Sequence, residues 1–200
     1  GGKEKAFADL FRNPPRTTRQ IMEPKTYLSG EHLEPMQVPD FRQVFKNYDR
    51  FDVGAVGEFD VAILIDQYGG AELSNKMFPH WRGGYYYAVR PKGDAAAPLA
   101  LLYASRWSTS EKAANFAAIY ASALNKRYLH VRDVPVDGKE PAIKTEALDH
   151  LTGKRSWLTE DGPVVIDVQG DTVVITESFD EATTDRLEQA VFGSAATAAR

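Results

Sequence analysis

Apolar residues near the start of the chain recur at helical spacing. Ala6, Phe7, Leu10 and Phe11 predict a helix over 4–12. Asn13-Pro14-Pro15 ends it, because proline lacks an amide donor and disfavours helix in the residue before it. Thr17 or Thr18 is placed to cap a short turn through Met22. Residues 23–40 carry Pro24, Pro35 and Pro39 around Gly30 and read as an extended connector. Tyr27, Leu28, Leu33 and Met36 are too apolar for a free tether, so the connector is expected to lie along the domain as a strap.

Val56, Phe59, Ala62 and Ile63 form one face of a helix over 54–68, ended by Gly69-Gly70, and Ala71 to Met77 is a second helical piece closed by Pro79. Strand signals follow. Gly84 to Arg90 contains Tyr85, Tyr86, Tyr87 and Val89, which suit a pleated surface, and Leu99 to Trp107 is its hairpin mate across Pro91-Lys92-Gly93-Asp94. Ser108 and Glu111 have capping-box spacing before a helix to Lys126, with Ala113, Phe116, Ala117, Tyr120 and Leu124 as its buried stripe. Val134 to Gly138 reads as a turn and Thr145 to Leu151 as a short helix. Arg155 to Glu160 is a strand, and Val164–Val168 with Thr172–Thr176 form a tight hairpin at Gly170-Asp171. Ser178 and Glu181 repeat the capping-box spacing before a helix over 180–192.

This order predicts an α+β fold: a mainly antiparallel sheet of four to five strands, with helices packed on one face. Three regions are expected: an N-terminal helix with its proline-rich strap (1–40), the α+β domain (41–192) and a frayed tail (193–200). Two units of strands followed by a capped helix hint at an internal repeat without making one.

Composition narrows the function classes. The 200 residues are 43% hydrophobic and 26% charged, which excludes collagen, coiled coil and wholesale disorder. A net charge of −4 lacks the basic excess usual in a nucleic-acid binder. The absence of cysteine removes thiol catalysis, cysteine zinc sites and disulfides. No apolar run reaches the roughly 18 residues of a membrane span. Gly1-Gly2-Lys3-Glu4-Lys5 is no signal peptide and holds no initiator Met, so the chain reads as starting downstream of its natural beginning.

Motifs that carry chemistry are scarce. His32, His80, His130 and His150 include no His-Glu-x-x-His pair; His32 with Glu34 is a lone candidate couple, short of the three protein ligands zinc needs. Gly138-Lys139 and Gly153-Lys154 lack the earlier glycine and the following hydroxyl of a phosphate loop. No Gly-x-Ser-x-Gly elbow is present. The sequence therefore predicts no cofactor, no metal and no catalytic residue. A weak acid–base alternative rests on Glu58, Asp66 and His80, although Glu58 near a helix start also suits the helix dipole. Aromatic residues concentrate around one hairpin. Alternation sends Tyr86 to one face and Tyr85 and Tyr87 to the other. Packing in the core is the bland role for such residues; Trp81, Tyr85, Tyr87 and Trp107 are the candidate partner-binding set.

Three segments together bear a family likeness. Phe11 to Tyr27 carries a proline-proline, threonine, glutamine and Glu-Pro-Lys connector; Trp81-Arg82-Gly83-Gly84-Tyr85-Tyr86 is similar to a Trp-Gly-Gly-Asp-Arg-Tyr strand start; Trp107-Ser108-Thr109 with Ala113 and Phe116 is similar to a strand-ending Trp-Asp-Thr before a helix. Gly54-x-x-Gly57-Glu58 fits a Gly-x-x-Gly-Glu helix start. Over roughly residues 7–192 the chain resembles the C-terminal region of uncharacterised bacterial and archaeal secreted or surface proteins that carry a gluzincin-like metallopeptidase half. Tyr85 and Ser108 stand where the pattern has aspartates. The resemblance implies a non-catalytic accessory domain, without the zinc-binding half, from a secreted or cell-surface protein. Its partner would be that peptidase-like half, or a peptide or protein. The alternatives are an independent hydrolase using the Glu58, Asp66 and His80 group, and a purely structural oligomerisation domain.

Overall fold

The computed structural model describes residues 2–135 and 144–198. Helix α1 (Lys3–Arg12) stops at Asn13, α2 (Thr18–Met22) is capped by the Thr17 hydroxyl, and α3 (Pro24–Leu28) starts on a proline, where a missing amide costs nothing. That last helix lies inside the predicted connector, which is extended only from residue 31 to residue 40. Then come β1 (Tyr48–Ala55), α4 (Glu58–Gly69), α5 (Ala71–Met77), β2 (Trp81–Pro91), β3 (Ala100–Trp107) and α6 (Ser110–Arg127). The chain closes with β4 (Val131–Asp133), β5 (Gly153–Thr159), β6 (Gly162–Gln169), β7 (Thr172–Glu177) and α7 (Glu181–Ala198).

The fold is α+β, around one seven-stranded sheet in the order β1-β2-β3-β7-β6-β5-β4. Every neighbouring pair is antiparallel. Two meanders, β1 to β3 and β4 to β7, meet at the central β3–β7 pair, and each is followed by a long helix.

The strand count corrects the expected four to five. Neither additional strand offers an apolar alternation: β1 reads Tyr-Asp-Arg-Phe-Asp-Val-Gly-Ala and is exposed along most of its length, and β4 has three residues. The helices also cover both faces, not one. Val173 and Ile175 pack with Phe116, Leu124 and the α4 residues Val61 and Ile65, whereas Val174 between them packs with Phe179, Leu187 and Val191 of the α7 side. The unbroken apolar runs of β6 and β7 are the cause, since a strand buried on both faces has no polar side to show.

Smaller differences follow from local chemistry. Gly54 and Ala55 belong to β1, so the helix predicted from 54 begins at Glu58. Thr145–Ala147 is a single 3-10 turn, and its Thr145 hydroxyl oxygen is buried as the acceptor for Trp157 Nε1 at 2.8 Å. Helix α7 continues to Ala198, past the end expected at 192; residues 199–200, and residues 136–138 of the predicted turn, lie outside the described ones. Glu177 ends β7 as a buried acceptor for Tyr120, Arg127 and Tyr128, each at 2.7 Å, and so fastens α6 to the sheet.

Candidate functional site

Helix α7 covers the second face over β6 and β7, and the strap covers part of it over β2 and β3. The strap is fixed at several points. The Arg106 guanidinium donates to the carbonyl of Glu34. Met36 sits over Gly83, where a Cβ would come within 2.9 Å of its Cγ, so only a glycine in β2 lets the strap lie this close. Phe41, just after the strap, is 3% exposed and packs on Tyr85 and Tyr87 with ring centroids 6.4 and 5.2 Å away.

The N-terminal end of the strap is tied by charge. Arg19 of α2 is 6% exposed and sits among three carboxylates. Its Nε donates to Glu31 at 2.7 Å, one terminal nitrogen donates to Glu58 at 2.8 Å and to the Pro79 carbonyl at 2.9 Å, and Glu23 pairs with it from one turn further on. Arg82 donates to the same Pro79 carbonyl. The carboxylates hold the Arg19 guanidinium charged despite its burial, and Arg19 holds the Glu31 carboxyl below its ordinary range. Glu58 goes the other way: it is fully buried, and desolvation raises its carboxyl against the pull of Arg19.

The strip of this face over β1 is uncovered. There a groove of about 570 Å³ lies between the strap and the sheet edge, with Met36, Val38, Val53, Ala55, Tyr85 and Tyr87 among its lining residues. Arg16 to Thr18 rim one end. Most polar groups at the rim are engaged: the Thr18 hydroxyl accepts from the Phe59 amide, and the Asp60 carboxylate accepts from the Gly57 amide. Two donors are not. Trp81 Nε1 and the Tyr85 hydroxyl belong to lining residues, and both atoms are buried with no hydrogen-bond partner among the described residues. Burial and the neighbouring Tyr87 push the Tyr85 phenol well above its usual value, so it stays a neutral donor. The groove can therefore hold an apolar group, but neither donor is open to it: both atoms are buried, and Trp81 packs on the α6 side of the sheet.

The aromatic residues singled out in the sequence separate. Trp81, Tyr85 and Tyr87 line the groove. Trp107 does not; it is 1% exposed, stacked on Phe116 at 4.5 Å, with its Nε1 donating to Ser105. The four do not share one surface, because Trp81 and Trp107 pack with the α6 layer while Tyr85 and Tyr87 pack with the α7 layer. The acid–base group separates too. Glu58 is closed off under Arg19, and Asp66 is exposed two turns along α4. His80 shares a 2.9 Å hydrogen bond with Ser108 Oγ, and its imidazole is held below its ordinary value by burial and by Lys112 and Arg82. Among the described residues no hydrogen bond or ion pair joins any two of Glu58, Asp66 and His80. His32 and Glu34 form an exposed couple 3.5 Å apart, and among the described residues no group of three potential ligands converges on a metal position. Gly138-Lys139 lies outside the described residues.

The sequence missed the β1 side of the groove and the role of Arg19. The available signal was Arg19 four residues before Glu23, an ion-pair spacing on a helix otherwise short of apolar residues. Among the described residues no helix is long and apolar enough to cross a membrane. Comparison with protein-family models, with curated proteins and with solved structures finds no match to this chain.

Proposed function

We propose that this chain is a non-catalytic interaction domain, and that it works by holding an apolar group of a partner polypeptide in the groove between the strap and β1. The observation that carries this reading is the groove itself: about 570 Å³ of mostly apolar-lined space, left open beside β1 on a sheet whose central strands are covered on both faces. Binding sites have this size and this largely apolar lining. The separation of Glu58, Asp66 and His80 supports an interaction role over hydrolysis. The resemblance to the C-terminal region of metallopeptidase-like proteins supports it as well, with the domain accessory to a peptidase half.

The test is titration with Nile red, an apolar dye that brightens on leaving water, against the wild type and Val53→Arg. Val53 lines the groove and is 36% exposed, so the substitution fills the site without touching the core. Saturable binding to the wild type, lost in Val53→Arg with an unchanged circular dichroism spectrum, is the expected result. Equal binding to both proteins places the dye elsewhere and defeats the reading.

A further inference from the structure

The groove opens along a sheet edge, and that edge has main-chain groups to offer. We propose that β1 accepts an extended polypeptide segment by strand addition, the segment's backbone pairing with the outer side of Val53–Ala55 while a bulky apolar side chain drops into the groove. This rests on the groove being the binding site.

The ladder fixes which groups face outward. The Val56 amide donates inward to the Gly84 carbonyl at 2.9 Å. Backbone groups alternate in direction along a strand, so those of Gly54 and Asp52 also face β2, and those of Val53 and Ala55 face away from it. The Val53 amide is taken by the Asp52 carboxylate at 2.8 Å. The Ala55 amide and the carbonyls of Val53 and Ala55 have no protein partner among the described residues, and both residues are exposed. The other half of the strand is guarded. It carries Asp49, Arg50 and Asp52 and a bulge between Arg50 and Asp52, devices that discourage indiscriminate edge pairing. The open half is the half beside the groove, so pairing and side-chain capture act on the same segment.

The size of the groove selects the occupant. A second copy pairing through the open half of its own β1 would bring only Val53 and Ala55 as groove-side residues, too small for about 570 Å³. An extended partner segment with a Leu, Phe or Trp side chain at the groove position fits both demands, a mode in which the main chain supplies affinity and the pocket supplies selectivity.

The experiment uses the full chain and the blocked peptide acetyl-Lys-Thr-Val-Phe-Val-Thr-Lys-amide. It adds two analogues N-methylated at alternate residues, so that each analogue blocks one edge of the peptide. Strand addition uses a single edge. One analogue should bind about tenfold more weakly, the size expected for losing a pair of main-chain bonds, while the other binds like the parent. Hydrogen exchange at the Ala55 amide should slow on adding the parent peptide. Equal affinities for all three peptides, or equal losses for both analogues, overturn strand addition. So does Nile red binding without peptide binding, which leaves the groove standing. Failure of both dye and peptide removes the groove reading itself. A dimer in sedimentation that the peptide cannot dissociate gives the edge to a second copy and also overturns the proposal.

Discussion

Arg19 and Glu58 meet at 2.8 Å across 39 positions of sequence, a buried contact that helps join the N-terminal segment to the domain. Glu58 is fully buried and Arg19 nearly so. The same guanidinium reaches Glu31 at the start of the strap and the Pro79 carbonyl before β2. Removing it leaves a buried carboxyl without its cation, a change that costs about 3–5 kcal/mol in comparable sites. Arg19→Ala should therefore lower the unfolding free energy in urea by about that amount. Arg19→Lys should recover less than half of it, since an ammonium keeps the charge but not the fork that spans three acceptors. A loss below about 1 kcal/mol for Arg19→Ala, within the range of an exposed ion pair, would show that the clamp contributes little.

Glu58 also gives the stability a pH dependence of defined sign. Burial raises its carboxyl above the ordinary 4.5, and only one of its oxygens has a hydrogen-bond partner. The native state then binds this proton more tightly than the unfolded chain. Stability present at low pH is lost as pH climbs from about 4.5 through the raised value. Glu31 acts oppositely: its lowered carboxyl contributes above its ordinary value, and that contribution fades as pH falls. Glu23, Arg19 and Arg82 are the other charges facing Glu58. Glu58→Gln removes the first effect and keeps the second. The unfolding free energy of the variant minus that of the wild type should rise between about pH 4 and about pH 7. A flat or falling difference in urea titrations would mean that pairing with Arg19 outweighs burial.

How much of this was legible depended on whether a residue's job shows in its local pattern. The α6 stripe of Ala113, Phe116, Ala117, Tyr120 and Leu124 is buried as its spacing predicts. The opposed directions of Tyr86 and of Tyr85 with Tyr87 also follow from alternation, and the three fall into two separate clusters. The edge strand β1 was illegible because its neighbours are strands on one side and solvent on the other, which leaves Asp49, Arg50 and Asp52 free to be polar. The groove was illegible for a different reason. It is made by Met36 and Val38 meeting Val53 and Tyr87, residues distant in sequence whose approach nothing in the local pattern specifies.

The helix caps were legible to within two residues, and the shifts can be tested. Capping-box spacing points to Ser108, yet the cap of α6 is Thr109, whose hydroxyl oxygen accepts from the Lys112 amide at 3.2 Å. Ser108 is instead drawn to His80, with Oγ 2.9 Å from Nδ1 and its amide donating to the His80 carbonyl at 2.7 Å. At α7 the shift is larger. Ser178 is left-handed, at φ 62°, a conformation unlike the extended one a cap adopts. The Asp180 carboxylate takes the role by accepting from the Thr183 amide at 2.8 Å. Thr109→Ala and Asp180→Ala should each cost about 1 kcal/mol in urea unfolding, the usual loss for a cap. Ser108→Ala should leave the α6 cap intact and act only through His80, raising the solvent exchange of the Ser108–His80 turn without unfastening the first turn of α6. The discriminating measurement is amide exchange at Lys112: faster in Thr109→Ala and unchanged in Ser108→Ala. The reverse pattern would return the cap to Ser108.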